Sequence, residues 1–549
     1  MHILMVAAEN AALPGAKVGG VADVVRDVPR ALAQAGHEVT VLIPAYQQLS
    51  HLPQARLLHT LTVEFARALE TLELHELRMP QEPAGVRLLT LDHPLFGACG
   101  AGQIYCHDLE EPFATDAVKF ALFCQGVAYA LASGALGSVD LIHAHDWHAA
   151  TLLLLRRFHR AYGALRRLPT VFTIHNLSLQ GIRPLRNSWS SPERWFADMK
   201  LDTALVADPR WPDCLNLMRA GINLADQVHV VSPTYAAEII EPSDPAFGLV
   251  RGEGLQHDLA RLSAQGRLHG ILNGCEYPPE LLGAPTPGKV QLADQAEAAL
   301  ASWVGDRASI KASWFHAQRR LQAWRERAPP DGFVVSSVGR LTPQKIGLLM
   351  LELDGKSVLD HLLEQLGDGL MLVLGSGDAA CEQFMMEAMC RHDNLLFFCG
   401  YAEALGESLY RYGDLFLMPS VFEPCGISQM LAMRAGTPCL VHGVGGLADT
   451  VRHFDNGFVF KGGDSAAQGA ALLAVFRQAR QVYRDAPQQW QTLCRAAAAA
   501  RFTWARAVQD YERQLYGLRG VATAAHSSHS RSSRAISAME ELGPQEPAG

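Results

Sequence analysis

Along this chain the apolar residues gather into short continuous runs, each closed by glycine or a polar residue and followed by a stretch that mixes apolar and charged positions at helical spacing. The runs at 2–8, 38–43, 139–143, 170–174 and 227–231 have this form. A continuous apolar run marks a strand buried on both faces, and the alternation with amphipathic stretches predicts a parallel sheet covered by helices. The pattern restarts after residue 330, with runs at 333–338, 370–374, 395–398, 415–418 and 438–441. Between the two series, Pro278, Pro279, Pro285, Pro287, Pro329 and Pro330 bracket a helical stretch. The reading is an α/β protein with an N-terminal domain over 1–270, a hinge and connecting helix over 271–330 and a second domain over 331–500. A last helix over 501–518 returns to the N-terminal domain, and Ser-, Ala- and His-rich residues 519–549 form a disordered tail.

Length and composition agree with two cores. The chain has 549 residues, 49% of them apolar and 19% charged, and no apolar run is long enough to cross a bilayer. The apolar start, residues 1–8, lacks a basic leader and reads as a first strand, not as a signal peptide. A formal net charge of −9 argues against a non-specific nucleic-acid coat. The eleven cysteines show no CxxC pair and suit reduced thiols in a cytoplasm better than a disulfide or zinc scaffold. The partners expected are therefore neither nucleic acid nor membrane.

Five segments carry candidate chemistry. Lys17-Val18-Gly19-Gly20 precedes a helix, where glycines admit a phosphate to backbone amides and Lys17 adds a cation. An ordinary strand-to-helix turn has the same look, and the spacing is not that of a dinucleotide fingerprint. His143-Ala144-His145-Asp146-Trp147-His148 closes a strand; it invites a metallohydrolase reading, yet alternate strand residues face opposite ways and no second ligand cluster follows. His175-Asn176 also stands at a strand end, where the ring would bond a sugar hydroxyl or merely cap a loop. Arg340 and Lys345 offer two cations to a leaving diphosphate, or a solvated surface pair. Glu423-Pro424-Cys425-Gly426-Ile427-Ser428 opens a helix and sets a carboxylate beside backbone amides, and Gly443-Val444-Gly445-Gly446 repeats the glycine-then-helix device.

Taken in order over about residues 1–517, these segments resemble the bacterial glycogen synthase and plant starch synthase family. The shared motifs are Lys-x-Gly-Gly, His-Ala-His-Asp-Trp-His, Thr-x-His-Asn, Asn273-Gly274, Arg-Leu-x-x-Gln-Lys, Glu-Pro-Cys-Gly and Gly-Gly-Leu-x-Asp-Thr-Val. The resemblance implies a GT-B fold, two facing Rossmann-like domains with a deep cleft, and a retaining transfer of glucose from ADP-glucose to an α-1,4-glucan without metal or other cofactor. It implies catalytic roles for Glu423, His175, Arg340 and Lys345. It puts Lys17, Gly19, Gly20, Asp23, Asn273, Tyr401, Cys425, Gly426, Ile427 and Ser428 around the donor, and Asp146, Trp147 and His148 on the acceptor side.

Three departures stand out. The hinge reads Cys275-Glu276-Tyr277-Pro278-Pro279, Ile346 separates Lys345 from Gly347, and residues 353–357 break the usual helix continuation. Leu431 stands where related transferases often carry a second glutamate. Two alternatives share the fold: a transferase with another nucleotide sugar or acceptor, and a weakly active glucan-binding paralogue.

Overall fold

The computed structural model describes residues 1–244, 248–305, 311–326 and 332–517. The tail expected over 519–549 lies outside these residues. Two parallel sheets organise the chain. The first has nine strands, in the order Leu268–Gly270, Gln227–Val230, Thr170–Ile174, Leu141–His145, His2–Val6, Glu38–Pro44, Val86–Asp92, Ala68–Leu77, Ala55–Phe65. The first seven of these run parallel, and the last two form an antiparallel edge hairpin. The second sheet has six parallel strands, in the order Leu395–Cys399, Leu370–Gly375, Val334–Val338, Leu415–Met418, Cys439–His442, Gly457–Phe460. In both sheets the first strand in sequence lies inside, the next are laid down to one side, and the order then reverses to the other, as in the doubly wound nucleotide-binding fold.

The central strands are buried along their whole length because helices cover both faces, which is why they read as unbroken apolar runs. The edge hairpin alternates exposed and buried residues and was not legible as such a run. Strands Val86–Asp92, Leu268–Gly270 and Gly457–Phe460 also lie outside the expected set. The helix Leu217–Leu224 packs so tightly on the first sheet that a Cβ on Gly221 would fall 2.2 Å from the Phe172 ring.

The C-terminal helix Trp504–Asp510 packs on the first unit. The Trp504 indole donates to Asp27, and Tyr511 lies edge-on to His229. Residues 353–357 form a tight hairpin, Glu352–Leu353 with Lys356–Ser357, whose Asp354-Gly355 turn has positive φ at both positions, followed by a helix with a Ser357/Asp360 capping box. Ile346 turns into the second core. One cysteine expectation fails: Cys99 and Cys106 are joined in a disulfide, the glycine-containing loop between them bringing their Cα atoms to 5.6 Å, while nine cysteines are free.

Gly221→Ala should cost about 1–3 kcal/mol through overpacking against Phe172. Gly163→Ala, where a Cβ meets nothing within 4 Å, should be near neutral. Urea unfolding of both variants checks the pair, and equal midpoints would contradict the packing described.

Candidate functional site

An open parallel sheet presents a crevice where its strand order reverses, at the carboxyl ends of the two diverging strands. In the first sheet that point lies between His2–Val6 and Leu141–His145; in the second, between Val334–Val338 and Leu415–Met418. Most candidate residues stand on the segments that leave these four ends, while His175, Asn273 and Tyr401 follow the strands Thr170–Ile174, Leu268–Gly270 and Leu395–Cys399.

On the second sheet, Glu423 is buried, 6% exposed, and its Oε2 takes both the Lys345 ammonium in an ion pair and the Ser420 hydroxyl at 3.0 Å. A buried carboxylate requires such partners. Lys345 lies in the first turn of the helix Pro343–Met350, and that turn is stitched to the Glu423 loop by Val421 N–H to Gln344 O at 2.8 Å and Gln344 Nε2 to Phe422 O at 3.1 Å. Arg340 is exposed and, among the described residues, makes no ion pair.

Beneath the loop, Gly445 has φ +44°, and Cβ atoms on Gly445 and Gly446 would fall 1.9 Å from Glu423 O and 2.2 Å from Cys425 O. The Gly446 amide donates to Glu423 O at 3.1 Å. The second glycine motif therefore seats the backbone of Glu423–Cys425, where the sequence reading gave it the phosphate-type device.

The loop also reaches the first unit. Pro424 O accepts from the Ser232 hydroxyl at 2.6 Å, and Cys425 is buried in the first unit's apolar core next to Asn273. Flanking contacts join Thr234 to both Asp449 oxygens, at 2.9 and 2.7 Å, and the Gly445 amide to Glu238 at 3.0 Å. Gly426 holds φ +77°, and Ser428 starts the helix Ser428–Arg434 behind Ile427.

Across from this loop, Lys17 pairs with Asp23 at 2.8 Å and sits 5.9 Å from the centre of the Tyr401 ring, which is 64% exposed. The Val18 and Gly19 amides, which the sequence reading offered to a phosphate, donate to Glu9 Oε2 at 2.6 and 2.7 Å. Tyr105 donates to the other Glu9 oxygen at 2.6 Å. A carboxylate of the chain itself occupies these amides, for the same reason that a phosphate would suit them.

The histidine run is buried. His143 Nδ1 lies 3.0 Å from the Tyr516 hydroxyl and its Nε2 2.6 Å from Thr173 Oγ1, which is 2.9 Å from His229 Nδ1. His145 Nδ1 lies 2.9 Å from His175 Nε2. Asp146 adopts φ 55° and accepts the His175 amide at 2.8 Å; burial pushes its carboxyl up to about 7. Trp147 packs edge-on to Phe113 and Phe120, and Gly181 lies flat against it. His148 is wedged against Phe120 and Tyr105. Trp147 and His148 thus contribute to this edge as packing. Among the described residues no group of three His, Cys, Asp or Glu side chains is placed to hold a metal ion, and no helix is long and apolar enough to cross a membrane.

The structure brings Glu423, Lys345, Ser232, Asn273 and Cys425 together, and places Lys17 with Tyr401. Sequence reasoning missed Glu9, Ser232 and Thr234, and gave Asp449, the acid of the Gly-Gly-Leu-x-Asp-Thr-Val motif, no role. Glu9 was readable as the first charge after a switch-point strand; Ser232 and Thr234 carry no local signal, because their partners lie some 200 residues away.

Residues 2–261 match the family model described as the starch synthase catalytic domain, and residues 318–489 match glycosyl transferases group 1. The chain is 32% identical over 522 residues to a glycogen synthase of Moorella thermoacetica, covering 93% of this chain and 96% of that one. It is 36% identical over 523 residues to a glycogen synthase of Anaeromyxobacter, covering 93% and 98%. Among solved structures, the catalytic domain of starch synthase IV from Arabidopsis thaliana, bound to ADP and acarbose, superposes with a TM-score of 0.71 at 26% identity over 93% of this chain and 98% of that one. Sucrose-phosphate synthase from Thermosynechococcus elongatus shares the fold, with a TM-score of 0.52 at 19% identity over 94% and 100%.

Burial holds His143, His145 and His175 well below the usual histidine range, and His148 and His229 down at about 3. Their depressed values mean stability that is present above the unfolded value of about 6.5 and lost as pH falls. Asp146, raised to about 7, has the opposite sign, stabilising at low pH and losing that contribution as pH rises. Within this cluster five lowered histidines stand against one raised carboxyl, so the cluster's contribution to stability should fall as pH drops below about 6.5. Urea midpoints at pH 7, 6 and 5 measure the slope, and His148→Phe should flatten it.

Proposed function

Because the chain belongs to the glycogen and starch synthase family of glycosyltransferases, we propose that it transfers glucose from ADP-glucose to the non-reducing 4-hydroxyl of an α-1,4-glucan. The reading includes retention of the α configuration, no metal ion and a place in the cytoplasm. The observation that carries it is the part-buried Lys345–Glu423 pair at the second sheet's switch point, with Arg340, which makes no ion pair among the described residues, at the adjoining edge.

In this reading Glu423 accepts hydrogen bonds from the glucosyl hydroxyls, while Arg340 and the remaining protons of Lys345 neutralise the departing diphosphate. Asn273 and His175 border the sugar from the first unit. The exposed Tyr401 ring gives the base a flat face near Lys17, and the ADP bound to the Arabidopsis relative supports an adenine nucleotide as the donor's carrier. Without a second carboxylate nucleophile among the candidate residues, the acceptor attacks on the face the diphosphate leaves, and a phosphate oxygen takes the hydroxyl proton; with Leu431 in place of the second glutamate, other groups recognise the ribose. Catalysis then rests on positioning and on cations aimed at the charge that develops.

Incorporation of labelled glucose into glycogen should proceed from ADP-glucose with at least about tenfold higher kcat/KM than from UDP-glucose, a difference of about 1.4 kcal/mol, and should survive EDTA. The added residues should be released by an α-1,4-specific amylase, which reads retention. A UDP-glucose preference would replace the donor assignment, and ADP-glucose binding without incorporation would favour a glucan-binding paralogue. Arg340→Ala and Lys345→Ala should each lower kcat about 100-fold with a smaller change in donor KM. Wild-type turnover in both would overturn the leaving-group role.

A further inference from the structure

The buried polar chain behind the site has a direction that its chemistry fixes. His229 Nε2 lies 3.3 Å from the Ile271 carbonyl, which only accepts, so a neutral His229 carries its proton on Nε2 and accepts at Nδ1. The donor there is the Thr173 hydroxyl at 2.9 Å. With its proton spent, Thr173 Oγ1 accepts from His143 Nε2–H at 2.6 Å, and His143 Nδ1 accepts from the Tyr516 hydroxyl at 3.0 Å. Every proton in the chain is assigned by the one carbonyl at its end.

His145 lies beside this chain and outside it. Its ring stacks on His143, with centroids 4.5 Å apart and planes 15° apart, and its Nδ1 faces His175 Nε2 at 2.9 Å. Its own Nε2 is buried and, among the described residues, has no partner. One neutral tautomer leaves a bare nitrogen lone pair there; the other leaves an unpaired N–H. Orphaned buried N–H groups are the rarer of the two defects, so the proton belongs on Nδ1, where it is donated to His175. His175 Nε2 is then an acceptor, and a neutral His175 must hold its proton on Nδ1.

We propose that His145 is a positioning residue for the transfer reaction: it fixes His175 in the Nδ1–H tautomer, so that His175 offers the sugar pocket a hydrogen-bond donor. Asp146 completes the arrangement by holding the His175 amide at 2.8 Å. The same consecutive pair, His145 and Asp146, thus sets the ring and the backbone of one neighbour, while His175, 8% exposed, has little freedom to turn. The inference rests on the reading that His175 borders the donor sugar.

Three substitutions test it. The amide nitrogen of His145→Asn stands where the histidine Nδ1 stood, that of His145→Gln reaches the Nε2 position, and His145→Leu has no donor. Asn should stay within about threefold of wild-type kcat, while Gln and Leu should lose roughly 10- to 100-fold, with the ADP-glucose KM of all three little changed. The acid limb of the kcat profile should move to higher pH in His145→Leu, because His175 Nε2 is then free to take a proton, and should stay in place in His145→Asn. Equal activity of Asn and Gln, or wild-type kcat in Leu, would overturn the proposal. If Leu does not fold, the Asn and Gln comparison decides. His175→Ala separates the two levels. An active His175→Ala removes the reading beneath the inference, whereas an inactive His175→Ala with a fully active His145→Leu removes the inference alone.

Discussion

The backbone of Glu423–Cys425 rests on two glycines and against one serine, and the placement of the site follows from that contact. The approach of Gly445 and Gly446 to the carbonyls of Glu423 and Cys425 leaves no room for a Cβ, and the Ser232 hydroxyl holds the carbonyl between them from the other unit. Contacts this close tolerate no displacement of the order of an ångström. They fix the Glu423 carboxylate in the second sheet's crevice and carry Cys425 into the apolar core of the first unit. Asp449 with Thr234, and Glu238 with the Gly445 amide, flank the same contact. A segment expected to bind ligand is therefore also the seam that sets one crevice against the other.

This dual use explains what the sequence made legible. Buried parallel strands write themselves as continuous apolar runs, so the paired sheets and their alternation with helices could be read without a structure. Motif residues at strand ends were readable because the switch point makes that edge special whatever the ligand. The antiparallel hairpin at 55–77 was not, since one exposed face dilutes its apolar signal. Nor was Ser232, whose importance lies in a partner far along the chain. Gly445 and Gly446 were seen as a glycine-then-helix device but given no partner: a glycine reports that something comes close, and not whether it is a phosphate or a neighbouring carbonyl. Glu9 shows the same ambiguity from the other side, since the amides of a helix start accept any anion and the chain supplies its own.

The histidine-rich strand end illustrates how composition misleads until tautomers are considered. Three histidines and an aspartate in six residues suggest a cation site, yet burial lowers the basicity of all of these rings, both His143 nitrogens are matched to hydroxyls and His145 Nδ1 is matched to another ring. A neutral imidazole is one donor and one acceptor, so a row of them transmits a direction instead of a charge. That direction originates at the Ile271 carbonyl, immediately before the hinge, and ends at Tyr516 in the C-terminal segment.

The same two segments meet again where the chain crosses between units. The Cys275 amide donates to Phe502 O at 2.8 Å, the Phe502 amide to the Tyr277 hydroxyl at 2.9 Å, and the Arg501 guanidinium covers the Tyr277 ring at 5.0 Å. A Cβ on Gly274 would fall 2.5 Å from the Trp504 amide nitrogen. The atypical hinge residues Cys275 and Tyr277 thus do specific work: they tie the outgoing crossing to the returning one. Two stretches of backbone joined in this way are held as one element, residues 274–277 against 501–504. The polar chain from Ile271 to Tyr516 anchors both ends of that element to the first sheet. The His145–His175 contact lies wholly within the first unit, on the sheet to which that element is anchored.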